Sequence, residues 1–405
     1  MPPAAQQLFT EAHRAYANNN PKRALELLDN ALALVPAHSG FWRLRGEILI
    51  ALMHPLRGES DLRCALSFDP FNTFARRALA DLYARYGRWR EAEAEYTRYL
   101  TLAPEESAGW HALGQVYEQQ SRPLAAITAY SSTLALDPAH LDSLTRRGAL
   151  WLAKQNYPAA WSDYTALISL QPSAQAYQAR AESNLQLEAP LLAAADFQAA
   201  LSLQPAGTPT YTLLMQTGHA YLGGGAASLA ANVFRQAISL TTTLEPRIWL
   251  GESYLAAGDA PAAVQVFSHT LPLATPLEQA QILIGRGRAF GEMGQYRAAV
   301  TDLGDALPYA TSAAEQAAIL EWRSAAYGAL ERYSEAIADL TAAHELLPNP
   351  IHIYQRGLLH QTAGNHASAA ADLADFLETA DPDATDPASL QDAQTRLDSL
   401  SAESP

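Results

Sequence analysis

The stretch Ser107–His140, SAGWHALGQVYEQQSRPLAAITAYSSTLALDPAH, decides the fold of this chain. From Trp110 to Tyr117, apolar and small residues recur at i, i+3, i+4 and i+7, a spacing that gathers side chains on one helix face. The polar residues 120–122 interrupt this pattern, and a second periodic stretch follows. Because Pro138 lacks an N–H group and disfavours helical geometry in the residue before it, the second helix should end there. The stretch therefore predicts a helix, a tight turn and a second helix.

Proline shows that this unit recurs. Five prolines are each 34 residues apart, namely Pro36, Pro70, Pro104, Pro138 and Pro172. A helix–turn–helix unit of this length resembles the tetratricopeptide repeat. Eleven repeats can be aligned, beginning at Ala5, Ser39, Thr73, Ser107, Leu141, Ala174, Tyr211, Leu244, Ala280, Ala317 and Pro350. With Trp110 as position 4, positions 8 and 20 are small and position 24 is large and apolar in all eleven repeats.

The resemblance implies an all-α fold, a right-handed α-solenoid of about eleven helix–turn–helix units. Residues 5–382 are predicted to form one continuous array, and residues 383–405 a C-terminal capping helix with an acidic tail. Repeats nine and ten start late, and the segments Thr275–Glu278 and Ser312–Glu315 before them are typical of capping boxes. The first helices of these two repeats should therefore be longer at their N-termini.

The composition narrows the functional classes. A net charge of −15 argues against a nucleic-acid or anionic-membrane partner. The single cysteine, Cys64, cannot form an internal disulfide, which favours a cytoplasmic location. Two lysines beside abundant alanine and arginine indicate a GC-rich bacterial genome. The sequence contains no phosphate-binding loop, no HExxH and no CxxC motif, so we expect neither an enzyme, a cofactor nor a metal site.

Six repeats carry arginine at position 7 together with aspartate at position 23. The pairs are Arg45/Asp61, Arg147/Asp163, Arg180/Asp196, Arg286/Asp302, Arg323/Asp339 and Arg356/Asp372. In this alignment, arginine at position 7 never occurs without its aspartate. Because a guanidinium matches a carboxylate and an unpaired buried charge is costly, we interpret the pairs as structural bonds between the two helices of each repeat.

In tetratricopeptide proteins, positions 2, 5, 6, 9, 12 and 13 of the first helices line a groove that holds peptide segments. Position 6 of repeats eight, nine and ten reads Trp249, Gly285 and Trp322, with Arg288 at position 9 of repeat nine. Tryptophan and arginine are enriched at binding hot spots. We expect two indoles to flank a gap floored by the glycine. The alternative is that each indole packs on its neighbouring helix.

A second candidate surface lies in the first repeats. Position 5 of repeats two to four is Arg43, Arg77 and His111, with Arg146 nearby, and residues 41–90 contain nine arginines against five acids. An acidic segment could bind there. Alternatively, Arg43 and Arg77 form ordinary i,i+4 helix pairs with Glu47 and Asp81.

Two functional hypotheses follow. The first is a non-enzymatic protein-interaction scaffold that binds a peptide or protein segment of unknown identity in its groove. The second is self-association, because residues 375–405 carry eight acids and one arginine and could meet the basic N-terminal surface of another copy. A solubilising acidic end is the simpler interpretation of that tail.

Overall fold

A computed structural model describes residues 1–205, 210–382 and 385–403. In these ranges the chain forms twenty-three α-helices and no strand. The helices make up two compact bodies, an N-terminal body of Met1–Glu188 and a C-terminal body of Ala189–Pro405. None of the helices in the described ranges has the length and apolar character needed to cross a membrane.

The N-terminal body contains eleven helices. They are α1 Pro3–Ala17, α2 Pro21–Leu34, α3 Ser39–Ala51, α4 Pro55–Phe68, α5 Thr73–Arg85, α6 Trp89–Leu102, α7 Ser107–Gln119, α8 Pro123–Leu136, α9 Leu141–Ala153, α10 Tyr157–Leu170 and α11 Ala174–Gln186. The first helices of repeats two to six begin at the residues predicted from the sequence.

The C-terminal body contains twelve helices in its described residues. They are α12 Pro190–Ser202, α13 Tyr211–Gly223, α14 Ala227–Ile238, α15 Glu245–Ala256, α16 Ala260–Thr270, α17 Pro276–Glu292, α18 Tyr296–Ala306, α19 Ala313–Ala329, α20 Tyr333–Leu346, α21 Pro350–Thr362, α22 His366–Thr379 and α23 Pro387–Glu403. Short 3₁₀ turns at Leu271–Leu273 and Leu307–Tyr309 follow α16 and α18.

Small residues at position 8 let the two helices of a repeat approach each other. In repeat four, a Cβ atom added at Gly114 would lie 2.5 Å from the ring of Tyr130, which is fully buried. Real Cβ atoms do not come this close to another heavy atom, so the ring needs a glycine opposite it. The sequence pattern of a small residue at position 8 and a large one at position 24 is thus a packing requirement.

A hydrogen bond at position 4 connects each of three first helices to the loop before it. Trp42 Nε1 donates to the carbonyl of Pro36 at 2.6 Å, and Trp110 Nε1 donates to that of Pro104 at 2.8 Å. In repeat three, Arg76 replaces the tryptophan, and its Nη2 donates to the carbonyl of Pro70 at 2.7 Å. Proline has no N–H but keeps a full acceptor, so each loop is held by the helix that follows it.

The first helices of repeats nine and ten are longer than the others, as predicted. Each of α17 and α19 has 17 residues, against 12 or 13 in α13, α15 and α21. Glu278 accepts a hydrogen bond from the backbone N–H of Thr275, the cap residue of α17, at 2.9 Å. At α19, Ser312 accepts from the N–H of Glu315, while the Glu315 carboxylate accepts from Thr311 rather than from the cap residue.

The last helix, α23, covers the end of the C-terminal body. Ala393 and Leu400 are buried against the core formed by α21 and α22. Tyr354 of α21 donates its hydroxyl hydrogen to Asp392 at 2.7 Å, and Arg396 donates to the side-chain oxygen of Gln361 at 2.9 Å. This helix therefore has an apolar inner face and a polar outer face, as a terminal cap requires.

Candidate functional site

Exposed aromatic and charged side chains meet on three first helices of the C-terminal body. The helices α15, α17 and α19 surround a groove of ≈ 590 Å³, which we call the tryptophan groove. Its lining consists of Glu245, Ile248, Trp249, Glu252, Glu278, Gln281, Ile284, Arg288, Glu315, Ala318 and Trp322. The structure thus brings Trp249, Arg288 and Trp322 to one site.

Trp249 stands on α15 with 36 % of its surface exposed. The His219 ring meets it edge-on at 4.6 Å between centroids, and the buried Phe234 ring lies at 6.4 Å, nearly parallel. Burial lowers the pKa of His219 below its usual 6.5, so this ring is neutral at pH 7. The indole is therefore fixed from behind by two rings and keeps an open side.

Arg288 of α17 contacts side chains of both other helices of the groove, Trp322 of α19 and Glu252 of α15. Its guanidinium carbon is 5.0 Å from the centre of a ring of Trp322, and its Nη1 donates to Glu252 at 2.9 Å. Trp322 remains 38 % exposed. The groove therefore combines an indole, a carboxylate and a guanidinium in one cation–π and ion-pair arrangement.

The prediction that Gly285 floors the groove is wrong. Gly285 is buried and does not line the groove. A Cβ atom there would lie 2.4 Å from the ring of Phe267, and Gly251 makes the same kind of close approach at 2.5 Å. Two glycines therefore enclose the phenyl ring of Phe267, which is fully buried. The aliphatic part of the lining is formed by Ile248, Ile284 and Ala318.

Three carboxylates at the starts of the lining helices were not identified as groove residues from the sequence. Glu245 opens α15, Glu278 lies in the first turn of α17, and Glu315 lies in the first turn of α19. The hydrogen bonds from the Thr275 side chain and backbone hold the pKa of Glu278 below its usual 4.5. The sequence signal was present, because each of the last two glutamates follows a capping residue by three positions. They fall before position 1 of their repeats, outside the family template.

The basic candidates of the N-terminal body each lie beside a carboxylate. Arg43 donates to both oxygens of Glu47 at 2.8 Å, and Arg77 lies 4.0 Å from Asp81. The ring of His111 is 3.0 Å from an oxygen of Asp142.

Arg146 bonds both Glu118 and Asp142, at 3.1 and 2.9 Å. The Arg43–Glu47 and Arg77–Asp81 contacts are the i,i+4 helix pairs considered as the alternative for this surface, whereas His111 and Arg146 also reach acids of a neighbouring repeat. Burial, assisted by the neighbouring His140, lowers the pKa of His111 below 6.5.

The positive charge predicted for residues 41–90 is largely balanced by acids outside that window. Arg45 bonds Asp29, Arg88 bonds Glu91, and Arg76 bonds the buried Glu95. Adding these three acids to the five of the window leaves only one more arginine than acid. The surface is therefore much less basic than a count along the sequence indicates.

In five of the six arginine–aspartate pairs, both residues belong to the same body, and each of these five pairs is bidentate. In each, Nε and Nη2 of the arginine donate to the two aspartate oxygens at 2.6 to 3.0 Å, in Arg45–Asp61, Arg147–Asp163, Arg286–Asp302, Arg323–Asp339 and Arg356–Asp372. The aspartates are buried and the arginines partly exposed. In the sixth pair, Arg180 of the N-terminal body donates to Thr165 at 3.3 Å, and Asp196 of the C-terminal body is buried.

Repeat three, which has no such pair, uses a different arrangement for its acid. Glu95 at position 23 is held by Arg76 and Arg98, both of which lie within salt-bridge distance.

Within the described ranges, no group of three or more metal-ligating side chains lies together, and Asp383 of the acidic tail is outside those ranges.

The class defined by this geometry is a helical repeat protein with a groove across its first helices. A family model described as tetratricopeptide repeat matches residues 9–52 and 77–140. These matches and the repeated helix pairs of the described residues support a tetratricopeptide repeat protein, a fold that suggests in general a protein–protein interaction scaffold.

Similar proteins match only in part. Protein NPGR2 of Arabidopsis thaliana is 32 % identical over 78 residues, which are 19 % of this chain and 11 % of that protein. Cellulose synthase operon protein C of Xanthomonas axonopodis pv. citri is 29 % identical over 146 residues, which are 36 % of this chain and 10 % of that protein. This chain thus spans about a tenth of each of these relatives. The crystal structure of the P58(IPK) TPR domain covers 99 % of both chains at 17 % identity, with a TM-score of 0.39.

Proposed function

We propose that this chain is a non-enzymatic, cytoplasmic adaptor that binds an extended segment of a protein partner in the tryptophan groove. The observation that carries the proposal is the pair of partly exposed indoles, Trp249 and Trp322, on two sides of one groove. Tryptophan and arginine are the residue types most enriched among those that dominate binding energies at interfaces.

The dimensions of the groove suit a short peptide. Packed helices lie about 8–10 Å apart, so three neighbouring first helices span about 20 Å. An extended chain advances about 3.3 Å per residue, which gives about six residues across α15, α17 and α19. A volume of ≈ 590 Å³ is within the usual range of ligand sites.

Capture of partners from a lysate of the source cells, with mass spectrometry, tests the proposal. The double variant Trp249→Ala/Trp322→Ala should lose a partner that the unchanged chain captures. Trp161→Ala is the matched control, because Trp161 is 38 % exposed but lies on α10, in the N-terminal body. Circular dichroism should give the same helicity for all three proteins. A partner retained by the folded double variant would contradict the proposal.

Self-association is the alternative outcome of this experiment. It was predicted from a basic N-terminal surface and the acidic residues 375–405, but the arginines of that surface bond neighbouring acids. In the tail, Asp392 is likewise bonded by Arg396 at 2.6 Å. Light scattering at low and high salt distinguishes the two functions, because only self-association through charged ends gives oligomers that dissociate as salt rises.

A further inference from the structure

The tryptophan groove has a marked charge asymmetry. Four carboxylates and one guanidinium line it, and the guanidinium of Arg288 is bonded to one of the four, Glu252. The other three are hydrogen-bonded only to neutral groups: Glu245 to the hydroxyl of Tyr211, Glu278 to Thr275, and Glu315 to Thr311. In the part of the chain that the structure describes, none of these three forms a salt bridge.

The helix termini offset only part of this charge. Each helix start carries the equivalent of about half a positive charge, so three starts contribute about +1.5 against −3 from the three carboxylates. The carboxylate of Glu278 is ionised at neutral pH because its pKa lies below 4.5. The groove therefore keeps a net negative potential beside the aliphatic side chains of its lining.

Arg288 demonstrates how this groove holds a cation. Its guanidinium lies over Trp322 at 5.0 Å and donates to Glu252 at 2.9 Å. A second carboxylate and indole lie on α15 itself, where Glu245 and Trp249 are four residues apart and thus neighbours on one helix face. Among the described residues, no arginine or lysine lies over Trp249.

We propose that the segment bound in the tryptophan groove is basic, with an arginine that stacks on Trp249 and pairs with Glu245. This inference rests on the proposed function and adds the chemistry of the partner. Arginine suits the site better than lysine, because its planar fork bonds a carboxylate with two N–H groups while its face stacks on an indole. Apolar residues beside it would contact Ile284 and Ala318 in the lining.

Selection of peptides from a random twelve-residue phage-displayed library on the full chain tests the inference. The selected peptides should carry net positive charge and be enriched in arginine next to aliphatic residues. Their dissociation constants should rise about tenfold or more in Glu245→Gln/Glu278→Gln/Glu315→Gln, a loss of about 1.4 kcal/mol. Glutamine keeps an acceptor oxygen for the bonds from Tyr211 and the capping threonines, so this variant removes charge alone.

The matched control is Glu105→Gln/Glu106→Gln/Glu188→Gln, which changes the net charge equally at exposed positions of the N-terminal body. It should bind the peptides as the unchanged chain does. The difference between the two triple variants should shrink in about 0.5 M salt, where charges are screened within a few ångströms.

The outcomes separate this inference from the function on which it rests. Peptides that are neutral or acidic, or that bind the groove triple variant undiminished, overturn the inference. If such peptides still lose binding in Trp249→Ala/Trp322→Ala, the groove binds segments and only its charge preference is refuted. If no peptide is selected, or none depends on the two tryptophans, both the inference and the proposed function fail.

Discussion

Removing the carboxylate of Asp163 should destabilise repeat five strongly. Asp163 is 3 % exposed and accepts hydrogen bonds from Nε and Nη2 of Arg147 at 2.9 and 2.6 Å. Asp163→Ala would leave the guanidinium with its single bond to Ser131, at 2.9 Å.

Breaking a buried ion pair costs about 3–5 kcal/mol. Because 21 % of the Arg147 side chain reaches solvent, its charge can be partly hydrated, and we expect about 3 kcal/mol, the lower end of that range. Native-state amide exchange with mass spectrometry measures this locally: exchange in α9 and α10 should accelerate about a hundredfold, while α21 and α22 keep their rates.

Two further variants sharpen the assay. Asp29→Ala removes an acid that is 62 % exposed and bonded to Arg45, a pair worth at most about 1 kcal/mol, so exchange should change little. Arg147→Leu/Asp163→Ala introduces the Leu113/Ala129 combination of repeat four and should recover at least about 1 kcal/mol of the loss, because no charge is then left without its partner. Unchanged exchange in α9 and α10 of Asp163→Ala would refute the structural role of these pairs.

Two other predictions concern packing and pH. Gly285→Ala should destabilise the C-terminal body by about 1–3 kcal/mol in urea unfolding, because its Cβ would lie 2.4 Å from Phe267. Gly291→Ala, where nothing lies within 4 Å, should stabilise α17 by about 0.5–1 kcal/mol, and equal effects of the two would contradict this packing. The pKa of His219 is lowered on folding because the ring is buried, so its contribution to stability is complete above pH 6.5 and declines as the pH falls toward the folded-state pKa. Thermal unfolding of His219→Phe should therefore depend less on pH below 6.5 than that of the unchanged chain, and parallel curves would show that His219 is not the group responsible.

The helices and the two indoles of the groove were predictable because the repeat template, which is kept within each repeat, places each side chain on a known helix face. Trp249, Arg288 and Trp322 meet for this reason. Gly285 shares that phase, yet its surroundings depend on how far the ring of Phe267 inserts from the preceding repeat. That distance depends on three-dimensional packing, and the repeat position of the glycine does not indicate it.

Electrostatic features were harder to predict than packing. The surplus of arginine in residues 41–90 disappears almost entirely once Asp29, Glu91 and Glu95 are included, because helices in contact share charges that are distant in sequence. The acids of the groove were missed for a related reason. Glu278 and Glu315 precede the family template in lengthened helices, so alignment to the template assigns them to caps and conceals that they line a shared surface.

The bond from position 4 to the proline carbonyl has a consequence for how such a chain can change during evolution. Trp42, Arg76 and Trp110 each reach a carbonyl six residues before them. If recombination removed the codons for residues 37–70, Arg76 would stand six residues after Pro36 and could form the same bond. A duplication of residues 37–70 would likewise place Trp42 six residues after Pro70, where it could form the same bond. Whole repeats can therefore be lost or gained between Pro36 and Trp110, because each new junction still places a side-chain donor at position 4 six residues after a proline carbonyl.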